Sequence, residues 1–435
     1  MSLISPASSA AADPDCPPTP ASLLDRFRAV RQQTQVLAEP LEPEDFVVQS
    51  MPDASPVKWH LAHTTWFFET FVLAAALPDY RPRFPQYNYL FNSYYNAVGE
   101  RISRDKRGLL SRPSIAEVRR YRDEIDARVE DWLGSADDSA LAKLGSTFVL
   151  GLHHEQQHQE LILTDIKHAF ASNPLRPIYR DRDPDRPLEP TPLSWTSYPS
   201  GLRQVGHEGS GFAFDNEGPR HPEYVGAFGI ANRLATNAEY LEFIADGGYD
   251  RPEFWLSDGW VACKARGWSG PMYWDMQEGR RVAQTLAGPL DVPPDEPVTH
   301  VSFYEADAFA RWSGARLATE AEWETAAQGR PIEGNFVEAG RYHPAAPPNP
   351  GEGGPLQLFG DAWEWTRSPY TPYPGYRAAA GALGEYNGKF MCNTIILRGG
   401  SCATPRSHVR ATYRNFFGPE ARWQFTGIRL ARDSA

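Results

Sequence analysis

The chain has 435 residues, a length at which a single hydrophobic core usually gives way to two or more domains. Its 55 acidic and 43 basic residues give a net charge of −12, which argues against nucleic acid or an anionic membrane as a general partner. No run of about 18 apolar residues is present, so the sequence predicts no membrane-spanning segment.

The ends of the chain and its cysteines indicate the cellular setting. Residues 1–20 are rich in Ala, Ser, Pro and Asp and lack the basic start and apolar stretch of a signal peptide, so we expect a disordered tail. The four cysteines are widely spread and form no CxxC pair: Cys16, Cys263, Cys392 and Cys402. This pattern favours a reducing, cytoplasmic setting.

Four segments of the first half carry apolar residues at helical spacing. The first follows a capping signal at Ser22–Asp25, the second covers Val57–Ala76, the third follows a capping box at Ser114–Glu117, and the fourth runs from about Ala140 to Ala171. These lengths predict a four-helix bundle over residues 21–179, with a long Tyr- and Arg-rich crossover between the second and third helices.

The composition changes in the second half. Residues 180–199 begin with alternating Pro, Asp and Arg, which is typical of a linker. Residues 200–435 are rich in Gly, Trp and short apolar runs between turns, and they contain one clear helix at Thr319–Ala327. The predicted fold class is therefore multi-domain, with an all-α bundle followed by an irregular α+β domain.

Two histidines in the fourth helix are spaced to bind one metal ion. His154 and His158 are four residues apart and lie on one helical face, whereas His153 points about 100° away. A solvated polar face is the commoner explanation of such a pair. The flanking segments are strongly apolar, however, and a buried polar cluster is costly unless it has partners.

A third ligand can come from the second helix, where His60 and His63 lie among aromatic residues. Taken alone, either is more often a hydrogen-bonded core histidine than a ligand. Together with the fourth helix, they predict a site of three imidazoles inside the bundle. Such a site fits zinc with a hydrolytic water, or iron(II) with positions for dioxygen and substrate, and the ligand set does not choose between them.

Several longer motifs resemble one known family. They are SPVKWHLAHTTWFFE, YLFNSYYNAVG, RGLLSRPS, HHEQQHQE, FGDAWEWT, EYNGKFM, LRGGSCATPRSHVRATYRNFF and RWQFTGIRLAR. Together they resemble the ergothioneine-biosynthesis sulfoxide synthases, which join a DinB-like bundle to a formylglycine-generating-enzyme-like domain of the C-type-lectin-like fold. The resemblance covers about residues 20–433.

The resemblance implies an oxidoreductase with one iron(II), held by His63, His154 and His158. With dioxygen as co-substrate, the family joins the sulfur of a thiol, cysteine or γ-glutamylcysteine, to the imidazole of hercynine (Nα-trimethylhistidine) as a sulfoxide. Gln157 matches a position that contacts the trimethylammonium group. Asn415, Phe416 and Phe417 match a segment that closes the hercynine pocket.

The adjacent Tyr94 and Tyr95 match a tyrosine pair that supplies the acid beside the metal in one branch of the family. A tyrosine O–H close to the metal can donate a proton during oxygen chemistry. The alternative is core packing, because a chain with 19 tyrosines buries many of them.

The segment Arg101–Arg107 is the densest local positive charge in the chain. In the family this region lies near the thiol partner, where Arg101 or Arg104 can hold a carboxylate through a forked pair; the alternative is a solvated loop. Relatives usually have Arg-His-Pro-Arg where this chain has Arg101-Ile-Ser-Arg104. That departure leaves a second donor open, because one branch joins hercynine to a selenosugar during selenoneine biosynthesis.

The second domain lacks the cysteine pair that formylglycine-generating enzymes use. Cys402 directly follows the Arg-Gly-Gly-Ser turn, while Arg406 and Ser407 stand where a partner thiol is expected. We expect Cys402 to be a small buried hydrophobe. Four further residues are expected to brace the domain core: Trp363, Trp365, Arg398 and Arg429.

Two other functions use the same residues differently. A zinc-dependent DinB-type thiol transferase or hydrolase needs the same histidines but no dioxygen. A non-enzymatic module that binds ligands through the lectin-like domain leaves the histidine cluster unexplained.

Overall fold

The computed structural model describes residues 19–182, 191–209, 211–348 and 354–434. Residues 1–18 of the tail predicted at 1–20 lie outside the described part, and Pro20 already begins the first helix. The first half is helical, and α1, α2, α5 and α6 pack against one another as the predicted bundle. Its helices are α1 Pro20–Ala38, α2 Val57–Phe68, α3 Ala74–Ala76, α4 Tyr87–Phe91, α5 Ile115–Ser135 and α6 Asp138–Ser172. None of the described helices combines the length and the apolarity needed to cross a membrane.

The helix starts follow local capping chemistry. At α5 the predicted box is present, since Ser114 N–H donates to Glu117 at 2.7 Å and Glu117 N–H donates to Ser114 at 3.3 Å. At α1 the predicted cap at Ser22 is wrong. The cap is Thr19, whose hydroxyl accepts from Ser22 N–H at 3.2 Å, because Pro20 fits the first helical position and lacks the N–H that needs a partner there.

Helix α6 is the central element of the molecule, and at 35 residues it is about 50 Å long. It begins at Asp137, whose carboxylate accepts from Ala140 N–H at 2.8 Å. Gly151 allows α2 to approach closely, because a Cβ there would lie 2.9 Å from ring atoms of Phe67 and Phe68. This approach brings the histidines of the two helices together.

A buried ion network joins three helices of the bundle. Glu155 of α6 accepts from Arg31 of α1 at 2.7 Å, from Arg122 of α5 at 2.5 Å and from the Thr34 hydroxyl at 2.7 Å. Burial alone would raise the pKa of Glu155, but Arg122 and Arg31 lower it to about 2. The carboxylate is therefore ionised. Its ion pairs hold α6 against α1 and α5 at the residue next to His154.

The second half combines short strands and helices, as predicted. Its helices are α7 Asn237–Ala245, α8 Ser257–Arg266, α9 Phe303–Trp312 and α10 Glu320–Ala327. Its strands are β1 Trp195–Tyr198, β2 Gly201–Val205, β3 His221–Val225, β4 Phe228–Ala231, β5 Trp274–Gln277, β6 Arg280–Thr285, β7 Gly288–Asp291, β8 Arg316–Leu317, β9 Trp363–Pro369, β10 Ile395–Arg398, β11 Asn415–Phe417, β12 Thr426–Gly427 and β13 Leu430–Asp433.

The strands form two four-stranded sheets and two small ones. The larger sheets have the orders β1-β4-β13-β8 and β11-β10-β9-β12, and the smaller ones are β2-β3 and β5-β6-β7. Strand β1 lies inside the segment predicted as linker and pairs antiparallel with β4, from Trp195 with Ala231 to Tyr198 with Phe228. The sheet of the second domain therefore begins before residue 200.

The two halves meet along α6. Glu160 accepts from Trp363 Nε1 at 2.8 Å, from the Ser401 hydroxyl at 2.6 Å and from the Thr404 hydroxyl at 2.7 Å. Cys402 is fully buried in the same region, as expected for a small hydrophobe. The four predicted bracing residues are also buried: Trp363, Trp365, Arg398 and Arg429.

Candidate metal centre

Three histidines converge between α2 and α6. His63 comes from α2, and His154 and His158 come from adjacent turns of α6. One ring nitrogen from each lies within 4.8 Å of the others. All three side chains are buried, and Nε2 of His63 lies 3.1 Å from Nε2 of His154.

The orientation of His63 is fixed by its neighbours. Its Nδ1 lies 2.5 Å from the carbonyl oxygen of Phe91, which can only accept, so Nδ1 carries the proton and Nε2 is left with a free lone pair. The rings of Trp59 and Trp66 stack against the imidazole at centroid distances of 4.5 and 5.6 Å.

His158 is held through two further residues. Its Nδ1 lies 2.7 Å from Nδ1 of His60, and Nε2 of His60 lies 3.0 Å from the Asp165 carboxylate. Because the carboxylate accepts, His60 donates from Nε2 and accepts at Nδ1. His158 then donates from Nδ1, and its Nε2 faces the cluster without a proton. This is the carboxylate–histidine support that metal ligands commonly have, lengthened by one imidazole.

The charge state of the three histidines suits metal binding. Burial lowers the pKa of His154 to about 3 and holds the pKa values of His63 and His158 well below their usual range. All three imidazoles are therefore neutral near pH 7. Neutral imidazole is the form that binds a metal ion.

The cluster geometry fits a divalent metal ion. Two nitrogens held about 2.1 Å from one ion at angles between a right angle and tetrahedral lie roughly 3.0–3.4 Å apart, and the His63 and His154 nitrogens lie 3.1 Å apart. Nδ1 of His154 is buried and has no hydrogen-bond partner among the described residues. The unprotonated ring nitrogens of the cluster face one another in the protein interior. Their lone pairs repel one another unless a cation lies between them.

The predicted tyrosine pair is separated from this cluster by one aromatic ring, because Trp66 contacts both Tyr95 and His63. Tyr95 is fully buried, and its ring packs 5.9 Å from Trp66 and 5.0 Å from Phe71. Its hydroxyl makes no well-aligned hydrogen bond in the described part of the chain, but the Tyr94 hydroxyl lies close enough to interact with it. Burial raises the pKa of Tyr95 well above its usual value, so the side chain keeps its proton. Tyr94 is half-buried and lies 5.4 Å from the Phe390 ring.

Gln157 joins the cluster to the second domain. Its Nε2 donates to the Tyr413 hydroxyl at 2.8 Å, and its carbonyl oxygen accepts from the Tyr386 hydroxyl. The Tyr386 ring lies 5.8 Å from His154. Sequence reasoning did not assign Tyr386 a role, although the EYNGKFM motif that contains it was a visible signal.

The predicted closing segment forms strand β11 and is half-buried. Phe416 stacks on Tyr370 at 4.2 Å and lies 5.8 Å from Phe390, which contacts Tyr94. Phe417 packs 5.8 Å from Trp423, and the Asn415 side chain accepts from Phe416 N–H at 2.9 Å. Phe416 is therefore connected to the tyrosine pair through Phe390.

The two predicted donor-binding arginines are exposed. Arg101 donates to the Asn96 side chain at 2.5 Å, and Arg104 donates to the Asp53 carbonyl oxygen. The buried cation of this segment is Arg107, which was not singled out. Its guanidinium lies 3.4 Å from the centre of the Trp59 ring and donates to Ser55 at 2.9 Å.

Comparison with known families defines the class of protein. Residues 17–162 match the DinB superfamily, and residues 189–434 match the sulfatase-modifying factor enzyme 1-like domain. The molecule is thus a DinB-type bundle with a three-histidine cluster, joined to a domain of the formylglycine-generating type.

Relatives of full length identify the family. The chain is 32% identical to a hercynine oxygenase of Mycolicibacterium smegmatis, over 95% of this chain and 99% of that protein. It is 34% identical to a hercynine oxygenase of Mycolicibacterium thermoresistibile, over 88% of each. A formylglycine-generating enzyme of Streptomyces coelicolor is 28% identical over 52% of this chain and 84% of that protein. The chain belongs to the hercynine oxygenase family and is an enzyme.

Proposed function

We propose that the protein is an iron(II)- and dioxygen-dependent synthase that joins the sulfur of a thiol to the imidazole of hercynine as a sulfoxide. The observation that carries this proposal is the set of three neutral, buried histidines in a chain of this family. Iron(II) held by three imidazoles keeps open positions, at which it supplies oxygen activation and thiolate binding.

The overall reaction requires an oxidant. Joining an imidazole C–H carbon to a thiol sulfur removes two hydrogens, and adding one oxygen to sulfur removes two more electrons. One dioxygen accepts all four electrons, placing one oxygen atom on sulfur and releasing the other as water. Thiol transfer or hydrolysis by a zinc enzyme with the same histidines would need no dioxygen.

The residues around the cluster have separate roles in this proposal. His60 and Asp165 orient His158. Tyr95 keeps its O–H in an apolar setting beside the Tyr94 hydroxyl, where it can donate a proton. The Gln157 amide, with the nearby rings of Tyr386 and Phe214, offers aromatic faces and a dipole, which suits a quaternary ammonium that cannot donate an ordinary hydrogen bond.

The donor is proposed to be cysteine or γ-glutamylcysteine, whose carboxylate Arg101 or Arg104 would bind. Both guanidiniums are exposed, so they remain accessible to a solvated donor. A selenosugar is the second candidate, because residues 101–104 depart from the arginine motif usual in the family.

The test is oxygen uptake and product mass with iron-loaded protein, hercynine and each donor in turn. We expect one dioxygen consumed per sulfoxide formed with a thiol. Turnover with the selenosugar alone would assign the other donor. Thiol transfer by zinc-loaded protein without oxygen would overturn the proposal in favour of the transferase.

A further inference from the structure

A chain of hydrogen bonds leads from Gln157 into the second domain. The Tyr413 hydroxyl that accepts from Gln157 lies 3.0 Å from Nε2 of His408, and Nδ1 of His408 lies 3.1 Å from Nδ1 of His153. Tyr413, His408 and His153 are all buried. In the segment Gly151–Glu160, Gln157 is the one residue that is partly exposed, and the other nine are buried.

Each residue in this series of hydrogen bonds donates to the next one, in the direction from Gln157 to His153. Because Gln157 donates to the Tyr413 oxygen, the Tyr413 O–H is free to donate to Nε2 of His408. Burial lowers the pKa of His408 well below its usual value, so its imidazole is neutral, with one donor and one acceptor. His408 therefore carries its proton on Nδ1 and donates it towards His153.

The direction of the chain sets which end of the amide faces the metal cluster. The carbonyl oxygen of Gln157 lies on the side of Tyr386, which packs against His154, and the NH2 group lies on the side of Tyr413. Turning the amide over would require Tyr413 to donate to it. Tyr413 could then no longer donate to His408, so the His408 proton would have to move from Nδ1 to Nε2. Tyr413 and His408 therefore oppose rotation of the Gln157 amide.

Aromatic rings lie on both sides of the same amide, since Tyr386 and Tyr413 hold its two ends. Phe214 stacks on Tyr386 at 5.5 Å and lies 5.5 Å from Tyr413, so it contacts both rings whose hydroxyls hold Gln157. The nearby Arg410 is paired with Glu217 at 2.6 Å, so its charge is compensated. An amide oxygen among aromatic rings favours a cation without N–H groups, whereas an NH2 group at that place would repel it.

We propose that Tyr413 and His408 are positioning residues that hold the Gln157 carbonyl oxygen towards the metal cluster, and thereby make the pocket select a quaternary ammonium ligand. This inference rests on the proposed function, because hercynine is the ligand that carries such a group. Neither residue needs to touch the ligand, since both act through the orientation of one amide.

The test compares two ligands of the same shape on iron-loaded protein without oxygen. One is hercynine, and the other carries a tert-butyl carbon in place of the trimethylammonium nitrogen. Titration calorimetry gives the ratio of the two dissociation constants, which we call the charge preference. Tyr413→Phe removes the acceptor of Gln157, so we expect the charge preference to fall roughly tenfold, while affinity for the tert-butyl ligand changes less than about twofold.

Variants of His408 keep the test decisive if Tyr413→Phe does not fold. His408→Leu removes the acceptor for Tyr413 and should also lower the charge preference, whereas His408→Gln keeps an acceptor and should restore it. Equal weakening of both ligands would show a merely structural role and overturn the inference, as would an unchanged preference in Tyr413→Phe and His408→Leu. A wild-type protein that does not bind hercynine would instead overturn the proposed function.

Discussion

The Nδ1 atoms of His60 and His158 lie 2.7 Å apart in the interior of the bundle, so one imidazole supports another. His60 is fixed in turn by Asp165, which also accepts from the backbone N–H of Ser55 at 2.8 Å. The orientation of a candidate metal ligand therefore depends on a residue that lies outside the cluster of three.

Replacing His60 with alanine should weaken iron binding without abolishing it. The change removes the acceptor of His158 Nδ1 but leaves the three nitrogens that face the cluster, and loss of such a support typically lowers metal affinity about 10- to 100-fold. Competition with a chelator measures the effect. His153→Ala is the matched control, because His153 stacks on Phe212 at 4.0 Å, away from the cluster, and should keep wild-type affinity.

Replacing His154 or His158 with alanine should abolish iron binding while the helical circular dichroism signal stays largely unchanged. Two imidazoles cannot supply the three-nitrogen face, whereas α6 keeps the packing of its other buried side chains. Iron content of the purified variants decides the point. Stoichiometric iron in either one would remove that histidine from the ligand set.

The periodicity of the sequence was enough to predict the bundle and the histidine pair of α6, because both depend on residues close together in the chain. A four-residue spacing places His154 and His158 on one face whatever the rest of the fold does. The Thr19 cap was missed because Ser22 directly precedes Leu23, the first apolar residue of the periodic pattern, whereas Thr19 lies four residues before it.

Features that depend on distant residues could not be predicted in the same way. The contact between His60 and His158 spans 98 positions, and the contact between Gln157 and Tyr386 spans 229. Strand β1 looked like linker because its four residues pair with β4, 30 to 36 positions further along the chain. No local pattern specifies such pairs, so only motif resemblance pointed to the second domain as part of the site.

Replacing Glu155 with alanine should destabilise the protein by about 3 kcal/mol, because it leaves Arg122 buried without its carboxylate partner, while Arg31 keeps Asp126 at 2.6 Å. Denaturant unfolding measures the loss. Glu130→Ala is the control, since its pair with Arg28 is largely exposed and should contribute less than about 1 kcal/mol. Equal effects of the two substitutions would contradict the structural importance of the buried network.

Lys167 gives a pH dependence that can be tested. It is buried between Tyr273 and Phe425, 2.6 Å from Nε2 of His300, and burial lowers its pKa to about 7. The unfolded chain has the ordinary lysine pKa near 10.5, so between these values it binds more protons than the folded protein. Stability from this group therefore rises with pH from about 7 to about 10.5.

Lys167→Met isolates this effect, because methionine fills the same space without charge. The stability of the wild type minus that of the variant should increase by about 2 kcal/mol between pH 7 and pH 9. Other titrating groups largely cancel in the difference. A difference that stays flat with pH would mean that Lys167 is charged in the folded protein throughout this range.

Replacing the tyrosines with phenylalanine tests whether one of them is the proton source. Tyr95→Phe keeps the ring against Trp66 and Phe71 and removes a hydroxyl that makes no well-aligned hydrogen bond among the described residues. We expect iron binding, hercynine binding and melting temperature to be preserved. The rate of sulfoxide formation should fall about 10²- to 10⁴-fold, the usual loss of a general acid.

Tyr94→Phe is the matched comparison, because Tyr94 is half-buried, lies 4.7 Å from the Tyr95 ring and packs against Phe390 and Tyr386. It should lose less activity than Tyr95→Phe. Product analysis adds a second measure, since without the acid we expect part of the thiol to be oxidised at its own sulfur instead of being joined to imidazole. Unchanged rates and products in both variants and in the double variant would exclude the pair. Tyr386, whose ring lies 5.8 Å from His154, would then be the next residue to replace.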